Sequence, residues 1–434
     1  MFDLDTDFIP GGGSSSSSSE PEVTSSSAYS SFVNNTPKVS SKPVSVSDIP
    51  SLESYLASVS AIICLSHLRW DFVYQRPQHL LSRFAKHTPI FFFEEPYFYE
   101  NAQPRLEMKE RENGRLTIVI AHLPTGLTPE ESDAKQIELL NEFMADRDLD
   151  NTVFWYYTPM ALEISRQFNP ALTVFDVMDE LSAFKFAPPR LLELEAELIA
   201  KADILFTGGQ SLYEAKKDRH KEVYAFPSSI DKTHFAQARQ PQTDPEDQAK
   251  IPHPRMGFFG VVDERFDIEL LREVANARPE WQFVIIGPVV KIDPAVLPNS
   301  SNIHYLGGKS YQELPSYLAG WDVAMLLFAH NDSTKYISPT KTPEYLAAGK
   351  PVVSTSIRDV VRPYGDLNLV QIADGAKDFE AAIERALTQK DDKAWMRKTD
   401  DYLAGISWDK TWQNMVRLMQ CVSDEKKKNA SAAK

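Results

Sequence analysis

The stretch Ile337-Ser338-Pro339-Thr340-Lys341-Thr342-Pro343-Glu344-Tyr345-Leu346-Ala347-Ala348-Gly349-Lys350-Pro351-Val352-Val353-Ser354-Thr355 encodes a capped loop, a short helix, a glycine stop and a buried strand. Ser338 or Thr342 can cap the helix, with Pro339 or Pro343 at its first position, and Gly349 and Pro351 end it. The sequence leaves the two caps open. With either, backbone N–H groups and the positive end of the helix lie beside Lys341, a setting for a phosphate-bearing ligand. Glu344, in the first turns, can accept two hydrogen bonds from a vicinal diol such as a ribose. On their own the same residues also read as a solvated helix start.

Outward from this unit, the strand Pro351 to Thr355 belongs to a series of short apolar runs: Met256 to Phe259, Gln282 to Ile286, Ile303 to Leu306, Val323 to Leu327 and Leu369 to Ile372. Helical periodicity separates them at Asp267 to Ala277, Tyr311 to Ala319, Thr342 to Ala348 and Ala376 to Leu387. An earlier series alternates in the same way, with strands at 62–65, 90–93, 116–120, 152–156, 173–176, 204–207 and 222–225. Repeated strand and helix predict parallel, doubly wound sheets. Between the series, Gln, Pro, Asp and Lys dominate with no apolar period, which predicts an exposed connector. The expected organisation is a Ser/Gly-rich disordered tail over 1–46, a first Rossmann-like domain over 47–235 and a linker over 236–255. A second Rossmann-like domain then fills 256–407, followed by a terminal helix over 408–424 packing back toward the first domain, and a tail over 425–434. Ligands of open α/β sheets bind at the carboxyl ends of strands, so the crevice between the domains is where function is expected.

Composition removes several classes. The chain has 434 residues, 42% apolar, enough for one or two sizeable cores, and a net charge of −15 disfavours nucleic acid as a partner. Two cysteines, Cys64 and Cys421, are too few for a disulfide scaffold or a cysteine metal site and fit a reducing compartment. No run is long enough to span a membrane, and Asp3, Asp5 and Asp7 stand where a signal peptide would be basic, so a cytoplasmic location is expected. Gly308-Lys309-Ser310 lacks the first glycine of a phosphate loop, and Gly209-Gln210-Ser211-Leu212 lacks the second glycine of a nucleophile elbow. The nine histidines never take metal-ligand spacing, and no dinucleotide fingerprint occurs.

The segment from Glu344 to Val353 resembles the donor-nucleotide signature of glycosyltransferase family 4 and its relatives of the GT-B fold (glycosyl transferases group 1). Gly257 to Arg265 is similar to that family's glycine turn after the first donor-domain strand, and Phe283 to Pro288 to its second-strand turn. Trp70 to Leu81 resembles the opening of a bacterial polysaccharide-synthesis subgroup, and the likeness extends over roughly Ala61 to Cys421. The resemblance implies an α/β GT-B chain of two Rossmann-like domains. Its second domain would bind a nucleotide sugar such as a UDP- or GDP-sugar through Gly260, Arg265, Gly287, Ser338, Pro339, Thr340, Lys341 and Glu344.

Further expectations concern chemistry. Arg265 and Lys341 would meet the leaving diphosphate without a metal or cofactor, and Asp179 would act as base toward an acceptor hydroxyl. Arg76, Gln78, Tyr157 and Glu180, all just beyond predicted strands, are the acceptor candidates; Asp179 or Glu180 could equally cap a helix or pair with Lys185. The implied reaction is hexosyl transfer, retaining, to a polysaccharide or glycolipid-type acceptor. Peripheral association at the inner membrane face and the oligomeric state are left open. Two departures matter: Tyr336 stands where many members carry an earlier glutamate, and Val261 where they carry an arginine. The first makes an inactive nucleotide-sugar-binding or scaffolding relative the alternative; an epimerase or phosphorylase is a more distant one.

Overall fold

The computed structural model describes residues 49–432, so the tail expected over 1–46 lies outside the described residues. Two parallel sheets organise the rest. In the first lobe, helix α1 (Ile49–Ser58) leads into β1 (Ala61–Leu65), α2 (Arg76–Phe84), β2 (Ile90–Tyr99), β3 (Arg105–Arg111) and β4 (Leu116–Pro124). Helix α3 (Pro129–Met144) then precedes β5 (Thr152–Tyr156), β6 (Leu172–Val177), α4 (Leu191–Lys201), β7 (Ile204–Thr207), α5 (Gln210–Lys216) and β8 (Val223–Ala225). The strand order is β3-β4-β2-β1-β5-β6-β7-β8. Every pairing is parallel except β3 with β4. Central strands such as β1 and β5 are buried at every position, as expected of a sheet covered by helices on both faces.

Helix starts follow local chemistry. Thr128 and Glu131 exchange side-chain to backbone hydrogen bonds at the start of α3, a capping box with Pro129 in the first turn. Helix α6 (Lys232–Ala236) precedes the second sheet, formed by β9 (Arg255–Phe259), β10 (Gln282–Ile286), β11 (Ile303–Tyr305), β12 (Val323–Leu326), β13 (Val352–Ser354) and β14 (Val370–Ile372). Its order is β11-β10-β9-β12-β13-β14, so the chain reverses direction in the sheet at β9 and β12. Helices α7 (Ile268–Ala277), α8 (Leu314–Ala319), α9 (Lys341–Ala347), α10 (Ala376–Gln389), α11 (Lys393–Ala404) and α12 (Trp408–Ala432) complete the fold.

Three expectations change. The 236–255 segment keeps most of its side chains exposed, but it is anchored rather than free, because Ala238 and Ile251 belong to the second lobe's core. Its polar residues are satisfied internally: the Trp321 indole donates to Gln248 Oε1 at 2.9 Å, and Gln248 Nε2 donates to the Tyr317 carbonyl. Second, α12 extends beyond 424 to Ala432. It packs on α1 and α2 of the first lobe, where Trp408 stacks on His79 with ring centres 4.6 Å apart and Trp412 stacks on His87. Third, β3 is an unforeseen antiparallel edge strand.

Candidate functional site

A cleft of about 660 Å³ opens between the lobes at the carboxyl ends of both sheets. The second lobe's wall begins at Gly260 and Gly287, which follow β9 and β10 with φ of +140° and +142°. Only glycine fits there, because a Cβ on Gly287 would lie 1.9 Å from the Gly260 carbonyl oxygen and one on Gly260 would lie 2.2 Å from Lys341 Cε. The two turns are also laced together, Gly260 N–H donating to the Ile286 carbonyl at 2.8 Å and Val262 N–H to the Pro288 carbonyl at 3.0 Å. Lys341 therefore crosses directly over a bare backbone turn.

Helix α9 carries Lys341 and Glu344 into the cleft. Neither cap expected from the sequence is used. Thr340 occupies the cap position in a helical conformation, no side chain bonds the helix start, and the Thr342 hydroxyl is buried without a partner. The first turn closes instead on backbone carbonyls, Thr342 N–H donating to Pro339 at 3.3 Å. Tyr345 anchors the helix from behind, its hydroxyl accepting from the Phe259 amide at 3.0 Å.

The charges differ in how they are held. Arg265 pairs bidentately with Asp263, Nη2 to Oδ2 at 2.7 Å and Nε to Oδ1 at 3.0 Å. Among the described residues Lys341 makes no ion pair, and burial lowers its ammonium to about 8 against the pull of Glu344. Burial raises Glu344 to about 7, opposed by Lys341. Across the cleft, Asp179 follows β6 in the first lobe; burial lifts its carboxyl above the ordinary 3.8, while Arg265 draws it down. The cleft thus holds a cation that no carboxylate among the described residues pairs with directly. Among the described residues, no three His, Cys, Asp or Glu side chains cluster to hold a metal.

Gly260, Arg265, Gly287, Ser338, Pro339, Thr340, Lys341, Glu344 and Asp179 all line this cleft. The acceptor candidates are placed differently. Arg76 borders it, but its guanidinium is committed to Asp176, Nη2 to Oδ1 at 2.8 Å and Nε to both oxygens, and to the Phe226 carbonyl at 2.8 Å. Gln78 also lines the cleft, where it accepts from Gln75 N–H and donates to the Trp70 carbonyl at 2.6 Å, bracing the loop. Tyr157 is buried near the Arg76 and Asp176 pair and does not line the cleft. Glu180 points away from it, to Lys216 Nζ at 2.7 Å and the Ser182 hydroxyl, so its partner is Lys216 rather than Lys185.

The first lobe's accessible wall also includes residues that the sequence placed beyond strand ends without giving them a role. Phe72 and Tyr74, 56% and 39% exposed, lie in the loop after β1, and Met178 lies after β6. On the second lobe, Gly308-Lys309-Ser310, set aside as a failed phosphate loop, and the following Tyr311 and Gln312 also line the cleft, with Tyr311 stacked on Tyr74 at 4.5 Å across the two lobes. Their signal was position alone, immediately beyond a strand's carboxyl end.

Residues 253–389 match the family described as Glycosyl transferases group 1. Over 170 residues the chain is 25% identical to TuaH of Bacillus subtilis (strain 168), a protein assigned by name to teichuronic acid biosynthesis as a glycosyltransferase. That alignment takes in 37% of this chain and 42% of the relative, so the match spans less than half the relative's length. Among solved structures, an alpha,alpha-trehalose-phosphate synthase (UDP-forming) from Burkholderia xenovorans, in complex with glucose-6-phosphate, gives a TM-score of 0.61 at 13% identity. It covers 83% of this chain and 100% of that chain. A trehalose-6-phosphate protein from E. coli bound with UDP-2-fluoro glucose gives 0.58 at 14% identity, covering 84% and 98%. These structures share the GT-B architecture of two parallel-sheet domains flanking a crevice.

Proposed function

Because residues 253–389 of this two-lobed GT-B chain match the Glycosyl transferases group 1 family, we propose that it moves a hexosyl group from a nucleotide-diphosphate sugar to a carbohydrate or lipid-linked acceptor. The observation that carries this reading is Lys341, a cleft-lining ammonium that no carboxylate among the described residues pairs with directly, lying over the bare Gly260 turn. A cation facing a cleft without a direct ion pair suits an anionic ligand such as a diphosphate. Glu344, on the same helix, accepts from the ribose diol. The diphosphate lies over Gly260 and Gly287, where no side chain intervenes.

As the bond between the anomeric carbon and the phosphate oxygen breaks, the electron pair leaves with the nucleoside diphosphate, and Lys341 and Arg265 balance the growing charge. Asp179 takes the proton of the acceptor hydroxyl as the new glycosidic bond forms. Its raised carboxyl suits a base that must return the proton afterwards. The acceptor enters along Phe72 and Tyr74, whose exposed rings suit sugar faces or a lipid stem. The TuaH likeness supports a polysaccharide-type acceptor. In this mechanism the protein's own cations replace a divalent metal, the acceptor oxygen attacks from the face the diphosphate leaves so that the configuration at the anomeric carbon is retained, and the reaction takes place in the cytoplasm at the membrane's inner face. No helix among the described residues is long and apolar enough to cross a membrane.

A second reading, a nucleotide-sugar binder without turnover, draws on Tyr336: where many relatives have a carboxylate, this ring packs against the first lobe's core. One experiment separates the two. A panel of radiolabelled UDP- and GDP-sugars is incubated with glycan and glycolipid acceptors in excess chelator. Label transfer to an acceptor is expected. Tight binding without transfer or hydrolysis would favour the binder, and activity restored only by magnesium or manganese would remove the metal-free mechanism.

A further inference from the structure

Gly209-Gln210-Ser211, an incomplete nucleophile elbow by its sequence, is where the second lobe grips the first. Gly209 precedes α5 and has no side chain with which to cap it. The cap comes from the other lobe. Asp359, in the turn that follows β13, accepts from the Gln210 amide at 2.8 Å, the Ser211 amide at 3.1 Å and the Ser211 hydroxyl at 2.7 Å. It is 6% exposed, so these bonds are shielded from water. The approach is tight: a Cβ on Gly209 would lie 2.4 Å from Asp359 Oδ2 and 2.8 Å from Ser338 Cβ.

Both neighbours of this contact belong to the cleft. Gly208, one residue before, donates to the Val177 carbonyl at 2.7 Å, beside Met178 and Asp179. Ser338 opens the loop that leads to Lys341, and its carbonyl accepts from Ser228 Oγ at 2.5 Å. Asp359 therefore joins the wall that carries the base to the wall that carries the cation. The outer pair of Arg358 with Glu214 lies alongside but is solvent-exposed.

We propose that Asp359 is a positioning residue: by capping α5 from the opposite lobe it holds Asp179 in register with the Ser338–Lys341 loop and so sets the closed crevice. Its effect on turnover rests on the glycosyl-transfer reading, whereas its effect on closure does not. All proposed donor contacts belong to the second lobe, so losing the cap separates catalysis from donor binding. Asp359→Ala is expected to lower kcat about 10- to 100-fold, the scale of a few lost hydrogen bonds acting through closure, with the Kd for UDP or GDP changed less than about twofold. Asp359→Asn keeps a carbonyl acceptor for the amides and should recover most of kcat. Gly209→Ala should reproduce the loss by wedging the walls apart, while Glu214→Ala leaves kcat within about twofold.

Closure is read independently by spin labels at Glu138→Cys and Glu269→Cys, one exposed residue of each lobe, in a Cys421→Ser background. Asp359→Ala should lengthen or broaden the inter-lobe distance. Unchanged distances in Asp359→Ala and Gly209→Ala overturn the proposal, as does a parallel fall of kcat and donor affinity that Asp359→Asn fails to rescue. If Asp359→Ala does not fold, Asp359→Asn and Gly209→Ala decide the matter. If the unaltered protein transfers no sugar, the transfer reading fails and the distances alone decide the role of Asp359.

Discussion

Replacing Lys341 by methionine should make the protein more stable and nearly inactive. Burial drives the ammonium from 10.5 down to about 8, with Glu344 opposing the shift. At about 1.4 kcal/mol per pH unit, the charged side chain at neutral pH withholds ~3 kcal/mol of stability. An unfolded lysine holds its proton between about pH 8 and 10.5 while the folded one sheds it, so stability rises through that window and the penalty is full below it. Glu344 acts in the opposite sense: raised by burial from 4.5 to about 7, it makes stability fall as pH rises between those values. Together they place a trough of stability near neutrality. Methionine has a similar length and no charge, but it also removes the attraction that restrains Glu344, so the net gain should be ~1–2 kcal/mol rather than ~3. For a chain of this size that is a rise in Tm of roughly 2 °C. Turnover should fall at least ~100-fold, because the cation beside the leaving diphosphate is gone. Calorimetric melting across neutral and alkaline pH, with sugar-transfer rates on the same samples, measures both arms. A variant less stable than its parent at neutral pH, or one keeping full turnover, refutes the reasoning.

Glu344→Gln should leave the fold intact and weaken nucleoside diphosphate binding by about 1–3 kcal/mol in titration calorimetry, since one charge-assisted bond to the ribose is lost; equal affinities for UDP and GDP before and after would remove the ribose assignment. Gly287→Ala forces a side chain onto the Gly260 carbonyl at an unfavourable φ, and denaturant unfolding should show a loss of ~2 kcal/mol or more, together with loss of donor binding. Arg76→Met strands the buried Asp176 carboxylate and should cost about 3–5 kcal/mol in urea unfolding. Its acceptor KM should stay unchanged where the variant is folded, and a raised KM with intact stability would return Arg76 to the acceptor site.

The parallel strands were legible because burial on both faces leaves an apolar run that few other structures produce. Residues Arg105 to Arg111 gave no such run: this antiparallel edge strand packs Leu106 against the core but leaves Met108 exposed among charges, which resembles a loop. The anchoring of the connector escaped the sequence for the converse reason. Its polar residues suggested solvent, yet Gln248 and Asp244 are bound inside by Trp321 and Arg255, and composition cannot distinguish a satisfied buried amide from an exposed one. The donor side of the cleft could be read because Gly260, Gly287, Lys341 and Glu344 are local to strand ends and one helix. The acceptor side could not, since Arg76 is neutralised by Asp176 and Glu180 by Lys216, and only the folded chain reveals those pairings. The cap on α5 lies beyond sequence reading for the same reason: the accepting carboxylate of Asp359 is 148 residues away from Ser211, whose amide it caps.

Helix α12 gives the lobes an unequal history. The chain leaves the first lobe near Phe226, builds the second, and returns at Trp408, whose amide donates to the Ile230 carbonyl at 3.3 Å. The second lobe is therefore spliced into the first. During synthesis the faces of His79, Phe84 and His87 stay bare until Trp408 and Trp412 emerge, after the whole second lobe has been made. The lobe that begins first is finished last, and a fragment severed at the crossing would carry an aromatic surface that only the distant helix covers.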